Sequence, residues 1–324
     1  MNTWFQIFYR RHTIIMLVIL TLALLAAPLL TLLPLSIQLI VLATSIVIFG
    51  LPHGALDLTL IRGSSSGAWH VLALSIFVYL LGLATVICAW LHVPILMLTS
   101  FLMLAVAHFG FGDTGEITGL QRALEIIVRG GSTIVIPLFF QTATTLELFT
   151  ILVGPESTTA MHAASQAIMP SAGWIWSLCL IASISWRVST RRPGWLLAIL
   201  ELILIAAVFA MLQPLIAFLL YFNLIHSVRH LADLGAARFP KSGHCAWRWL
   251  LSESLPLTVA TLILATIAFY LFRHSINFNE NITRVIFWGL SALTIPHMVL
   301  VACWHLRGER PPGDLFYQQK SEST

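Results

Sequence analysis

The chain has 324 residues, of which 58% are hydrophobic and only 9% charged, with a formal net charge of +4 and a mean hydropathy of +0.91. A soluble domain carries roughly 25% charged residues, so this composition excludes a water-facing surface around an ordinary core and leaves a chain dissolved in lipid. The small basic excess belongs to membrane topology rather than to nucleic-acid binding, and the scattered Cys88, Cys179, Cys245 and Cys303 form no CxxC pair, which argues against a disulfide framework or a thiolate zinc site.

About 20 apolar residues cross the hydrocarbon core as a helix. In chain order the apolar runs are 13–33, 36–60, 70–91, 94–112, 130–153, 173–188, 195–212, 214–236, 252–272 and 284–306. The first follows Arg10 and Arg11, yet it is longer than the roughly 7–15-residue apolar region of a cleaved signal peptide and reads as a retained helix. The fifth is the weakest, interrupted by Gly130, Gly131, Pro137 and Glu147. The expected fold is an all-α polytopic transmembrane bundle of about ten helices, with eight or nine as alternatives. It forms a single integral membrane domain, 1–306, followed by a short polar cytoplasmic tail, 307–324.

Charge placement supports that count. With the N-terminus cytoplasmic, the inner segments hold Arg10, Arg11, Arg62, Arg122, Arg129, Arg187, Arg191, Arg192, Arg238, Lys241, Arg248, Arg307, Arg310 and Lys320. The outer segments hold only Arg273 and Arg284. Lys and Arg concentrate on the cytoplasmic side of inserted helices, so both termini are expected inside. Tryptophans near the predicted ends, Trp69, Trp90, Trp174, Trp186, Trp195, Trp247, Trp249 and Trp304, read as interfacial belts.

The same topology sorts the histidines. His12, His70, His92, His162, His244 and His274 fall in or beside connections, where an interfacial role is expected, and His305 lies near the inner end of the last run. His53, His108, His226, His230 and His297 lie in the second, fourth, eighth and tenth runs, all directed from outside to inside. His53 is nine residues before Arg62, His230 eight before Arg238, His297 ten before Arg307, and His108 five before Asp113. At ~1.5 Å per residue these offsets correspond to depths of roughly 8–15 Å from the inner helix ends. Parallel helices carrying side chains at one depth converge on a common point. Ionisable groups inside a membrane are costly and mark function, so the five together point to a metal site.

Local spacing adds to this. His226 and His230 stand at i and i+4, one turn apart on a helical face, the arrangement by which one helix supplies two ligands. In Gly50-Leu-Pro-His53-Gly-Ala-Leu-Asp57, Pro52 removes a helical hydrogen bond and predicts a kink or break. Gly110 and Gly112 are expected to end the helix beside His108, and Ile295-Pro296-His297 repeats the proline–histidine pair. An aspartate follows closely after three of these histidines: Asp57, Asp113 and Asp233. A ligating imidazole gives its second N–H to a carboxylate or carbonyl, so some of these carboxylates are expected to orient ligands, the alternative for Asp113 and Asp233 being an ordinary charge at the cytoplasmic helix end. Arg229 either pairs with one of them or reaches the inner headgroups. Glu201, isolated in the seventh run, is expected to bond a neighbouring helix.

A site of neutral imidazoles suits zinc, copper, iron or nickel. Zinc hydrolysis is disfavoured, because no HExxH glutamate is present. Two other classes stay open on the residues alone. One is a metal-ion or proton transporter using the histidines as a relay. The other is a membrane haem protein with two axial histidines.

The motifs Gly50-Leu-Pro-His53-Gly-Ala-Leu-Asp57, Ala107-His108-Phe-Gly110, His226-Ser-Val-Arg-His230-Leu-Ala-Asp233 and Ile295-Pro-His297-Met, in this order, resemble the signatures of the Brp/Blh family of β-carotene 15,15′-dioxygenases. The resemblance runs from about Gly50 to His305. It implies a non-haem Fe(II) enzyme of a bacterial or archaeal cell membrane that cleaves the central double bond of β-carotene with dioxygen. The product is two retinals, with a retinal-binding rhodopsin as acceptor. It further implies His53, His108, His226 and His230 as the iron ligands, with His297 near the site. Phe109, Phe111, Tyr221 and Phe222 are the expected lining of an apolar substrate tunnel.

Overall fold

A computed structural model describes residues 3–64, 69–114, 117–273 and 277–306. The tail 307–324, His274 and the side chains of Trp304 and His305 lie outside the described residues. Among those described, every regular element is helical. The α-helices of five residues or more are α1 (Thr3–Leu25), α2 (Leu35–Ser45), α3 (Leu51–Ala55), α4 (Asp57–Ser64), α5 (Trp69–His92), α6 (Pro94–Asp113), α7 (Gly119–Ser132), α8 (Val135–Phe140) and α9 (Thr142–Val153). They continue with α10 (Thr158–Thr190), α11 (Trp195–Met211), α12 (Pro214–Phe218), α13 (Val228–Arg238), α14 (Gly243–Phe272) and α15 (Phe278–Leu306). π-helical segments, Ile46–Gly50 and Leu219–Ser227, join α2 to α3 and α12 to α13.

Eight helical runs among the described residues are long and apolar enough to cross a membrane, and α9 and α11 are shorter apolar helices. The chain is therefore an all-α polytopic membrane protein. Its outward faces are apolar, with Leu25, Leu74, Leu178 and Leu264 all more than half exposed, as a lipid-facing surface requires.

The ten-run reading departs from the structure at the fifth run. There the chain forms α7, α8 and α9 instead of one long helix. Gln121, Glu125 and Arg129 repeat every four residues on α7 and are all buried, a polar stripe that lipid would not tolerate. Arg129 pairs with Glu201 of α11 at 2.7 Å, and Glu125 with Arg187 of α10 at 2.6 Å. Arg129 and Arg187, counted above as topology charges, are thus members of an ion network inside the fold. Pro137 falls in the first turn of α8, where its missing N–H costs nothing. Gln141 then donates to the carbonyls of Phe209 (3.1 Å) and Leu212 (2.5 Å), satisfying the end of α11.

The chain divides into two compact units, one of Met1–Tyr9, Ala43–Met97 and Ser227–Thr324, the other of Arg10–Leu42 and Leu98–His226. In the first, α14 packs on α3 and α13, and α15 on α5, around a core of Leu56, Leu231, Leu234 and Leu250. Trp90 is part of this interior and not of an interfacial belt. It is 1% exposed, donates to Ser291 at 2.6 Å and stacks on Trp288. Trp69 and Trp174, by contrast, are exposed.

In the second unit α10 packs on α7 and α8, and α7 approaches α6 backbone to backbone. A Cβ at Gly130 would lie 1.9 Å from the Val106 carbonyl oxygen. Overpacking of this kind typically costs ~1–3 kcal/mol, occasionally more. Gly130→Ala is therefore expected to lower the thermal unfolding midpoint of the purified protein in detergent by several degrees. An unchanged midpoint would show that α6 and α7 are not in such close contact.

Candidate metal centre

The first unit gathers His53, His230 and His297. Pro52 occupies the first turn of α3, directly after the π-helical segment. A proline leaves the carbonyl four residues earlier without its helical partner, and the wider i→i+5 register accommodates that mismatch. His53 is consequently carried on a five-residue helix, and its ring centroid lies 4.2 Å from that of His230 on α13. His297, on α15, places its ring 5.6 Å from His53 and 6.3 Å from His230.

Asp57, the first residue of α4, is 1% exposed. It does not serve the histidine of its own motif. Its Oδ1 accepts from His297 Nδ1 at 2.6 Å, and its Oδ2 accepts from the Tyr79 hydroxyl of α5 at 2.9 Å. Asp233 is half-buried on α13. Arg229, rather than reaching headgroups, is buried with its guanidinium 4.6 Å from the Tyr9 ring centroid, a cation–π contact.

The second unit gathers His108 and His226. His226 lies in the segment Leu219–Ser227, within the run Pro214–Arg238, whose most apolar window is 78% buried against 6% for the lipid-facing α5. Its Nδ1 donates to Asp113 Oδ1 at 3.1 Å, and the Tyr221 hydroxyl donates to Asp113 Oδ2 at 2.5 Å. An ionised carboxylate only accepts, so the proton sits on Nδ1 and the lone pair on Nε2. That Nε2 faces His108 Nε2 at 3.1 Å.

Helix α6 continues through Gly110 and Gly112 to Asp113; the glycines do not end it. They permit close approach instead: a Cβ at Gly112 would lie 3.0 Å from His226 Cε1. Phe109 and Phe222 flank His226, with centroids at 4.9 and 6.2 Å. Phe111, expected among the lining residues, is 55% exposed and points outward.

The donor set fits a metal. Two ring nitrogens bound at ~2.1 Å to one ion stand roughly 3.0 Å apart at a right angle and ~3.4 Å apart at a tetrahedral angle, and the His108–His226 nitrogens fall in that range.

Comparison with known proteins supplies the family. The family model described as "Beta-carotene 15,15'-dioxygenase" matches residues 44–305. The chain belongs to this family. A β-carotene 15,15'-dioxygenase from an uncultured marine bacterium (66A03) is 27% identical over 271 residues, covering 80% of this chain and 91% of the relative. A probable β-carotene 15,15'-dioxygenase of Halobacterium salinarum, Blh, is 25% identical, covering 80% of this chain and 82% of its own length. Another from the same species, Brp, is 26% identical over 63% of this chain and 60% of its own. No solved structure matches.

Sequence reading missed two other side chains. Tyr79 is a lone phenol in an apolar helix, and nothing in its neighbourhood signals a partner. His12, taken as interfacial, bonds the Leu224 carbonyl at 2.9 Å and so ties α1 to the π-helical segment two residues before His226. Because a Cβ at Gly112 would come within 3.0 Å of His226 Cε1, Gly112→Ala is expected to displace that ring by a few tenths of an ångström. Metal retained after desalting should fall several-fold while the thermal midpoint changes little. Full metal retention would show that Gly112 has no part in placing the His226 ring.

Proposed function

We propose that this chain is a membrane dioxygenase that cleaves the central double bond of β-carotene, giving two retinal molecules. The observation that carries this reading is the family match over 44–305, which contains all five intramembrane histidines. We further propose that the cofactor is one non-haem Fe(II) held by His53, His108, His226 and His230. Three features support that ligand set: the facing nitrogens of His108 and His226, the close rings of His53 and His230, and the spacing of His226 and His230 along the run Pro214–Arg238.

Iron(II) held by these residues would bind and activate dioxygen, the four electrons that reduce it coming from the carbon–carbon double bond. The reaction balances without an external reductant: the carbon–carbon double bond breaks, and each of its carbons takes one oxygen atom. The protein's part is to hold and exclude. Asp113 keeps the His226 proton on Nδ1, which leaves Nε2 as a donor. Burial of His53 and His226 keeps water out, and Phe109 and Phe222 make the neighbourhood of His226 apolar, as a polyene requires. A lipid-soluble substrate reaches such a site from the bilayer, and its position along the apolar path determines which bond is cut.

The proposed orientation has both termini cytoplasmic, in a bacterial or archaeal cell membrane. Whether eight or ten runs cross, the four that carry the histidines remain even-numbered and run inward. A retinal-binding rhodopsin is the proposed product acceptor. A C-terminal green fluorescent protein fusion should fluoresce and a C-terminal alkaline phosphatase fusion should stay inactive; the opposite pair of results would invert the topology.

Expression in bacteria that accumulate β-carotene should bleach the cells and yield retinal by chromatography. His108→Ala and His226→Ala should each lower retinal formation at least 100-fold. Coloured cells containing folded, iron-loaded protein would rule out β-carotene as the substrate.

A further inference from the structure

Three groups of the first unit have no part in that reaction: the buried His297 and Asp57 and the half-buried Tyr79. We infer that His297 is a further nitrogen donor to the metal, presented by a Tyr79–Asp57 clamp. This inference rests on the chain being a metal enzyme.

Asp57 is 1% and His297 6% exposed, both within helices that span lipid. A buried ionisable pair is expensive there and needs a functional return. The clamp also fixes chemistry. Asp57 accepts on both oxygens, so His297 Nδ1 carries the proton and Nε2 keeps its lone pair.

Position points the same way. Ligand nitrogens of His53 and His297 lie within 4.8 Å of one another. Opposite nitrogens on one ion are separated by ~4.2 Å, so only a small adjustment separates this pair from joint ligation. The scaffold holds the clamp at both ends: Tyr79 bonds Asp57, and at Gly82, three residues on along α5, an added Cβ would lie 3.4 Å from Pro296 Cγ, beside His297. Residues at i and i+3 share a helical face, so one face of α5 positions both the carboxylate and the helix that carries the imidazole.

The second unit supplies an independent parallel. Tyr221, Asp113 and His226 make the same three-residue chain, again through Nδ1 and again with the tyrosine on the other carboxylate oxygen. There the oriented imidazole is one of the proposed ligands. The same chemistry applied to His297 serves the same end.

The test uses full-length protein, wild type and variants, purified without metal and titrated with Co(II), whose visible ligand-field bands report coordination directly. His297→Ala should weaken Co(II) binding about 10–100-fold, the range seen when groups around a metal are removed, and shift the bands. Asp57→Asn should weaken binding less and Tyr79→Phe least, in that order. Should His297→Ala fail to fold, Tyr79→Phe decides the matter, because it removes a single hydroxyl. Bands and affinity identical to wild type in the variant that folds overturn the inference and leave the four-histidine reading intact. Wild-type protein that binds neither Co(II) nor Fe(II) overturns both.

Discussion

A carboxylate inside a lipid-spanning bundle must find hydrogen-bond donors within the protein, and the structure around the histidines follows from how Asp57 and Asp113 do so. Each is bonded by one tyrosine hydroxyl and one imidazole Nδ1. Both carboxylates are buried, so losing a donor would strand a charge at a cost of several kcal/mol. The carboxylate therefore holds the imidazole as firmly as the imidazole satisfies the carboxylate. A neutral histidine has two tautomers, and only one leaves Nε2 available as a donor. The buried aspartates choose it.

That constraint explains the irregular backbone. Straight α-helices set their side chains at fixed angles, and a helix arriving at the histidines with the wrong rotation has no means of correcting it. Two π-helical segments supply the correction, one ending just before the helix that bears His53 and one containing His226. Irregular helix in a membrane is tolerated where it is buried in protein, and Pro214–Arg238 is the most buried of the eight long runs. The glycines play a related part: Gly112 allows α6 to come close to the His226 ring.

Much of this was legible in the sequence, for a definite reason. Hydropathy marks lipid-crossing runs directly, and the distance of a histidine from the charged end of its run gives its depth. Both signals are local. What stayed hidden depends on partners distant in the chain. Asp57 follows His53 by four residues, yet the histidine it bonds is 240 residues away, and Asp113 bonds one 113 residues away. Arg129 and Arg187 look like loop charges until the packing of α7, α10 and α11 turns them into ion pairs. Trp90 sits at a predicted helix end, where an interfacial role is the better guess; only its contact with Ser291 puts it in the core. Periodicity carries no record of such pairings.

The choice of ligand type has an electrostatic consequence. Neutral imidazoles leave a bound divalent cation its full charge, and a low-dielectric interior penalises that charge heavily. Carboxylate ligands would offset it but would pull electron density onto the metal and occupy positions that dioxygen needs. Carboxylates placed one hydrogen bond further out offset the charge without taking a coordination position, and they polarise the imidazoles on the way. Asp57 and Asp113 each stand one hydrogen bond behind an imidazole of their own unit. On the proposed reading, the buried aspartates thus perform two tasks at once: they fix the histidine tautomers, and they make it tolerable to keep a dication in hydrocarbon among ligands that carry no charge of their own.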